Sequence, residues 1–446
     1  MESNKEPSVR GKLEQLFSAA PVYNYRGFHL DTARHFIDIE ELKKNIRCAA
    51  AFHFNYFHFH FSDDQGYRIE SKVLPELTRI SSKRAGDTFG GCHSEVEEQH
   101  YYTQEEIKDL VRFAGEYGIE IVPEIDVPGH VTDILAAYPE LSCSGRKVEV
   151  ATSEGIYSDI LCAGNEQVYT FLKTLLDELC ELFPGKYFHI GGDETPKTAW
   201  KTCPKCQAKM KAEGLTDEHQ LQGYMQNRIA SYLKSKGKTV IAWNEAALGG
   251  NLDKDIVLQL WNDDPKDPAM AAFNMKDQNG NLTSPNQGIG AKHIKRGGNV
   301  ITSNMLHSYC DYPHAFINAR NIYEADMIPQ KCEDIADARE HVLGGEALCW
   351  TEHIRNAEQL EYQIWPRYAF KGINLYCGKP EESFEDFLKE YKDPIRSVIE
   401  SFGIKPAPWE EVVPDQQTAR KQMMEFMMRI GGAGAAEKFK KAQQEI

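Results

Sequence analysis

QEEIKDLVRFAGEYGIEIVPEID, residues 104–126, holds one helix, one stop and one strand in succession. Ile107, Leu110, Val111 and Ala114 recur at the spacing of a single helix face. Thr103 and Glu106 stand ahead of them as a capping box, and Gly118 supplies the stop behind. Residues 119–126, IEIVPEID, are then a short β-branched run that finishes in carboxylates. A buried parallel strand reads as such a run, and its polar end predicts a functional rim.

The same order returns twice more. From 166 to 194, Val168, Phe171, Leu172, Leu175, Leu176, Leu179 and Leu182 form an apolar stripe, a Pro-Gly pair breaks it, and KYFHIGGDE follows. From 218, Leu221, Tyr224, Met225 and Leu233 precede Gly237 and the strand KTVIAWNE. Further strands are predicted at 25–31 (YRGFHLD), 55–64 (NYFHFHFSDD), 255–261 (DIVLQLW), 299–304 (NVITSN) and 341–350 (HVLGGEALCW). Eight strands, each followed by a helix or a long loop, match the count of a (β/α)8 TIM barrel in the α/β class. A doubly wound open sheet has the same periodicity. The strand ends favour the barrel: nearly every one carries a polar or aromatic residue, and a barrel gathers eight such ends around one pocket, whereas an open sheet scatters them.

The expected organisation is a short N-terminal extension (1–20), a catalytic barrel (21–375), and a C-terminal part (376–446). In that last part ESFEDFLKEYKDPIRSVIESFG reads as a closing helix, IKPAPWEEVVP as an extended linker, and the remainder as a helical tail with a flexible GGAGA. With 41% hydrophobic and 26% charged residues, the composition is that of an ordinary globular protein. A net charge of −16 and the absence of long apolar runs argue against a nucleic-acid partner and against membrane insertion. The first residues lack the apolar stretch of a secretory leader, so the expectation is a cytoplasmic protein, or an exported one whose leader has been removed. Eleven scattered cysteines do not read as the disulfide framework of a small secreted domain.

HIGGDETPKTAW, residues 189–200, sets two adjacent acids, Asp193 and Glu194, at a strand end. Consecutive side chains of a regular strand face opposite sides, so both enter one pocket only if the strand ends or distorts there. Gly191 and Gly192 make the distortion cheap. The bland alternative is a solvated loop.

HIGGDE resembles the signature of glycoside hydrolase family 20, the β-N-acetylhexosaminidases. YRGFHLDTARHF, FHFHFSDDQGYRIE, IVPEIDVPGH, AWNEA and EALCWTE resemble that family's other motifs, in the same order, from about residue 25 to residue 370. The resemblance implies a (β/α)8 barrel, in agreement with the strand count. It implies that Glu194 is the general acid and later the base, and that Asp193 orients and stabilises the substrate's 2-acetamido group, whose carbonyl oxygen attacks the anomeric carbon. No enzyme nucleophile is then expected, an exception to the usual carboxylate pair.

The resemblance further implies that Arg26 grips the C3 and C4 hydroxyls, that Asp63 supports Arg26, and that Glu352 takes the C4 and C6 hydroxyls. Trp243, Trp261 and Trp350 would be aromatic walls, with core packing as the alternative for the first two. Tyr309 would bond the acetamido carbonyl and Asp311 the C4 or C6 hydroxyl, while Asp126 and His130 would tune Glu194. For Arg26 and Glu352 the alternative is an ordinary surface ion pair. Tyr67 stands where the family motif has tryptophan. Only about 20 residues precede the barrel, where many members carry a small α/β domain, and insertions at 81–100 and 263–297 would shape substrate access.

Cys203 and Cys206 form CPKC after the fourth strand, and Cys143 and Cys162 fall in the region after the third. Four thiols with one CxxC spacing could hold a structural Zn, or could be free or disulfide-bonded. Catalysis itself would need no cofactor. The expected activity is exo-hydrolysis of terminal β-linked GlcNAc or GalNAc from glycans or oligosaccharides. An endo-type relative such as a lacto-N-biosidase, a catalytically silent carbohydrate-binding barrel, and a barrel enzyme using the acids as metal ligands are the alternatives.

Overall fold

The computed structural model describes residues 9–89, 94, 96–263 and 286–444. Eight parallel strands close on themselves: β1 (Tyr25–Asp31), β2 (Tyr56–His60), β3 (Glu120–Glu124), β4 (Tyr187–His189), β5 (Thr239–Trp243), β6 (Val257–Leu260), β7 (Val300–Thr302) and β8 (Val342–Ala347). Each pairs with its neighbours in sequence, and β1 closes the circle against β8 through Tyr25↔Gly344 to Phe28↔Ala347. All eight lie within the stretches expected from the sequence.

The helices of the outer ring that matter to the site are α1 (Ile39–Ala51), α2 (Gln104–Glu116), α3 (Glu166–Leu182), α4 (Pro204–Glu213), α5 (Glu218–Ser235), α6 (Ile289–Lys295) and α7 (Arg367–Cys377). The capping box at α2 is present, Thr103 accepting from the Glu106 amide while Glu106 accepts from that of Thr103. Helix α8 (Phe384–Ser401) falls within the stretch where a helix was expected, and it packs on the N-terminal helix Val9–Leu16. The stretch expected to be an extended linker contains a helical turn, Trp409–Val412, and α9 (Gln416–Gln444) runs through GGAGA without a break.

Period-two alternation sorts the strand side chains. Phe28, Leu30, Phe57 and Phe59 face outward into the main core under the helices. The barrel interior is layered. At the amino-terminal end Tyr25, Val122, Tyr187, Ile241, Val257 and Ile301 form an apolar plug, with the Tyr25 and Tyr56 rings stacked at 4.3 Å. Above it lies a fully buried polar layer. His58 bridges Glu346 at 2.9 Å and Glu124 at 3.1 Å, His60 also meets Glu124, and Gln259 donates to Glu346 at 2.7 Å. At the carboxyl-terminal end Trp243, Met305, Tyr309 and Leu348 pack together with Trp261, Tyr312 and Trp350 around them. Filling a barrel with such layers leaves the carboxyl-terminal mouth for chemistry.

Candidate active site

The β4 strand ends at His189 and the chain then breaks direction to present the acid pair. Gly191 has φ +60° and passes against Asp126: a Cβ there would lie 1.8 Å from Asp126 Oδ1, so only glycine fits. The next amide, Gly192 N–H, donates to that same Asp126 oxygen at 2.8 Å. Glu194 itself takes a left-handed φ of +41°, and its amide donates to Glu245 Oε2 at 2.6 Å. A left-handed non-glycine residue costs free energy that surrounding contacts must offset. Here Glu245, in turn bonded by Asn286 at 3.1 Å, holds it. Thus the distortion expected from the two glycines is present, and Asp193 and Glu194 both face the mouth.

His130 joins this pair to the rest of the site. Its Nε2 lies 3.7 Å from Glu194 Oε2 and 4.0 Å from Asp193 Oδ2. Its Nδ1 lies 3.2 Å from both Asp63 Oδ1 and Asp64 Oδ2. Burial opposes a charge on His130, but Asp63 outweighs it and holds the imidazole well above its ordinary range, so the ring is an imidazolium. Glu194 is pushed up to about 7, by burial first and by Asp193 and Glu245, against the pull of His130. That is the range a general acid needs near neutral pH. Its side chain keeps 28% exposure, so substrate can reach it.

Asp126 stands in one cluster with His130 and Asp193, their polar atoms within 4.8 Å of one another. It contacts the Gly192 amide and Asp193, whereas the carboxylates that orient His130 are Asp63 and Asp64. Burial pushes Asp126 up to about 7 against the pull of His130 and of a hydrogen bond with Asp193, while burial and then Asp126 raise Asp193 well above the usual carboxylate range. Two close buried carboxyls share a proton for this reason.

Arg26 does not reach the pocket, contrary to expectation. It sits near the amino-terminal end of β1, on the face turned away from the interior, and its guanidinium donates to the carbonyls of His53 and Tyr23, both at 2.7 Å, beneath the Tyr376 ring. Alternation forbids it the pocket, because the inward residues of β1 are Tyr25, His29 and Asp31. The arginine at the mouth is Arg34, of the segment DTARHF after β1. Its fork meets Asp63 at 2.8 Å, Gln65 at 2.9 Å and Asp31 at 3.4 Å, and approaches Glu352 at 3.9 Å. Asp63 therefore supports Arg34 rather than Arg26, and Arg34 outweighs burial in holding Asp63 well below the usual range.

Arg34 also lies over the Trp350 ring at 5.1 Å. Trp350 and Trp261 are half-buried and flank Tyr309, with ring centroids 6.4 and 6.1 Å away. Trp243 is instead almost fully buried, donating from Nε1 to Glu124 at 2.8 Å, so it forms floor rather than wall. Asp311 and Glu352 complete the far side. Burial and then Glu352 raise Asp311 well above its ordinary value, while Glu352 is raised by burial against the pull of Arg34. An aromatic wall facing polar groups that converge from Arg34, Glu352 and Asp311 suits a pyranose, whose ring presents C–H faces and hydroxyl edges.

Arg34 and Glu245 escaped the sequence reading. Glu245 is the acid of the AWNEA stretch, but that stretch alone assigns it no role, and only the fold brings it to the Glu194 amide. The insertion after β2 forms a ribbon, Lys83–Arg84 with Glu98–Gln99, whose Asp87 reaches Arg355 at 2.6 Å and so docks at the mouth. In the second insertion, residues 264–285 lie outside the described residues. The four cysteines after β3 and β4 do converge, all four sulfurs lying within 4.8 Å of one another.

A closed parallel barrel with an acid pair and an aromatic pocket at its carboxyl-terminal mouth defines the architecture of a barrel glycoside hydrolase. The chain belongs to glycosyl hydrolase family 20, whose catalytic-domain profile matches residues 23–372. A β-hexosaminidase of Porphyromonas gingivalis is 35% identical over 372 residues, 83% of this chain and 45% of that protein. The structure of a Flavobacterium johnsoniae chitobiase superposes with a TM-score of 0.70 at 34% identity, over 86% of this chain and 52% of that one. An exo-β-N-acetylglucosaminidase of Vibrio harveyi, solved in complex with N-acetylglucosamine, has a TM-score of 0.71 at 28% identity, over 87% of this chain and 60% of that one. The chain thus spans about half the length of the curated relatives it matches.

Proposed function

We propose that this protein is an exo-acting β-N-acetylhexosaminidase that removes terminal β-linked GlcNAc or GalNAc with retention of configuration, the substrate's acetamido oxygen acting as nucleophile. The observation that carries this reading is the pairing of Glu194, tuned to about 7 beside His130, with Asp193, which shares its environment with Asp126. Glu194 protonates the departing oxygen and then takes a proton from water. Asp193 holds the acetamido N–H. As positive charge grows on the oxazolinium ring, that charge draws the negative charge of the Asp126–Asp193 pair onto Asp193 and leaves the proton on Asp126, so stabilisation strengthens towards the transition state.

Arg34, Glu352 and Asp311 support an exo mode, since charged groups that grip the outer hydroxyls close the pocket beyond one sugar. The aromatic wall of Trp261 and Trp350 keeps water from the charged intermediate. No cofactor enters the bond-breaking step, and a metal at the four thiols would be structural. Among the described residues no helix is long and apolar enough to cross a membrane. The likeness to β-hexosaminidases and to the Vibrio harveyi enzyme supports an N-acetylhexosamine substrate.

A panel of aryl β-glycosides and defined oligosaccharides, with products identified by mass, tests the reading. Release of single N-acetylhexosamines is expected. Disaccharide release would favour a lacto-N-biosidase type, and no turnover at all would favour a silent binding barrel.

A further inference from the structure

The four cysteines behind the catalytic loops form a built site. Cys162 Sγ lies 3.7 Å from that of Cys203 and 3.6 Å from that of Cys206, and Cys143 Sγ lies 3.8 Å from that of Cys206. In a tetrahedral zinc tetrathiolate, Zn–S bonds of about 2.3 Å place neighbouring sulfurs about 3.8 Å apart. Two disulfides would instead draw the sulfurs into two pairs at about 2 Å. Cys162 lies at near-equal distance from two sulfurs, which disulfide pairing does not produce and shared coordination does.

The backbone around the thiols is shaped for this. Pro204 opens α4 directly after Cys203, so the CPKC turn presents Cys203 and Cys206 at a helix start. The Gly164 amide faces both Cys162 and Cys206, as N–H groups that stabilise thiolates do. Gly164 runs so close to this turn that a Cβ would lie 2.2 Å from the Lys205 carbonyl carbon. A surface cleft lined by Cys143, Cys203 and Asp159 gives an ion a way in.

From these distances we infer that Cys143, Cys162, Cys203 and Cys206 bind one zinc ion, which fastens the segment after β3 to the segment after β4. The clamp stands directly behind the catalytic loops. Leu161, next to Cys162, donates from its amide to the Pro128 carbonyl at 3.0 Å, two residues before His130. The Leu161 carbonyl accepts from the buried Trp200 indole at 2.9 Å, six residues after Glu194. Zinc thereby fixes the two backbones whose separation sets the His130–Glu194 distance. Binding proceeds by exchange of protons for metal: the thiols lose their protons to solvent as the four Zn–S bonds form.

Elemental analysis of the purified full chain, with thiol titration and non-reducing peptide mapping, tests the assignment. About one zinc per chain is expected, with the four thiols unreactive until a strong chelator or a mercurial releases the metal. C143S and the double variant C203S/C206S should lose the zinc, while C180S and C377S should keep it. Should the variants fail to fold, cobalt exchanged into the wild-type chain gives an independent readout, the intense visible bands and near-ultraviolet charge transfer of a tetrahedral thiolate site. Metal-free protein with reactive thiols, a disulfide between any two of the four, iron in place of zinc, or zinc that survives the double variant would each overturn the assignment.

Discussion

His130 Nε2 stands 3.7 Å from Glu194 Oε2 while its other ring nitrogen is fixed by Asp63, so one imidazolium connects the proton donor to the carboxylate that also holds Arg34. A change at Arg34 is therefore transmitted, through Asp63 and His130, to Glu194.

This connection gives a pH profile. As the proposed general acid, Glu194 would work protonated, and its value of about 7 means that the acid form is present below that pH and is lost above it. Activity on natural oligosaccharides is expected to fall about tenfold per pH unit once the pH exceeds the Glu194 value. Glu194→Gln should abolish that limb along with nearly all oligosaccharide cleavage, yet spare the first step for aryl glycosides whose leaving groups need no proton. Steady-state kinetics across pH with both substrate types checks this.

Arg34→Ala and Arg26→Ala separate the mouth of the barrel from its base. If Arg34 grips the sugar's hydroxyls as proposed, Arg34→Ala should raise KM and lower kcat together, by about 2–4 kcal/mol in kcat/KM, because contacts remote from the bond would then serve to distort the ring. Lys at 34 should rescue poorly, since a point charge cannot replace the fork that meets Asp63, Gln65 and Asp31. Arg26→Ala should leave both kinetic constants within about twofold and lower stability by about 1–2 kcal/mol, through two carbonyl hydrogen bonds and a ring contact. Kinetics and thermal melts of both variants decide the matter.

The contrast between these arginines marks how far the sequence was legible. Both sit in one motif, YRGFHLDTARHF, eight residues apart. Alternation along β1 excludes Arg26 once the inward set is known. That set is hidden in the sequence, because Phe28 and Leu30 face the helices while His29 and Asp31 face the interior. The FHFH stretch of β2 writes the same code openly, with His58 and His60 inward and Phe57 and Phe59 outward. Strand ends, the acid pair and the CPKC turn could be read because each depends on local spacing, whereas the meeting of that turn with Cys143 and Cys162 depends on two loops coming together. The contacts of Glu245 and Asp126 could not, because they arise only when separate loops meet over the barrel mouth.

Gly191→Ala should be among the most damaging conservative changes in the chain. A methyl group 1.8 Å from Asp126 Oδ1, at φ +60°, forces the β4 end to move. A stability loss of about 2–4 kcal/mol is expected, with kcat reduced by a larger factor than KM is raised because Asp193 and Glu194 shift together. Denaturant titration and kinetics on the folded fraction measure the two effects separately.

The buried polar layer predicts how stability varies with pH. Glu124 is held well below its ordinary range, burial being outweighed by His189, His60 and His58. A depressed carboxylate stabilises above its unfolded value and loses that contribution as pH falls. His58 is raised to about 9 and His60 to about 10, the carboxylates outweighing burial. A raised histidine contributes fully below its unfolded value, and the contribution is lost as pH rises towards 9 and 10. The melting temperature should therefore be highest between about pH 5 and 7 and decline on both sides. Glu124→Gln should cost about 3–5 kcal/mol and weaken both slopes, because it strands buried imidazoles.

Attack by the substrate's own acetamido oxygen is the centre of the account, and one series of substrates measures it directly. Aryl β-glycosides whose N-acetyl group carries none, one, two or three fluorines differ in the nucleophilicity of that oxygen and little in size. If the oxygen attacks beside Asp193, kcat/KM should fall steeply, by orders of magnitude, from the acetyl to the trifluoroacetyl compound. A rate that stays flat across the series would mean that the amide takes no part in bond breaking, and would contradict the mechanism proposed for Asp193 and Glu194.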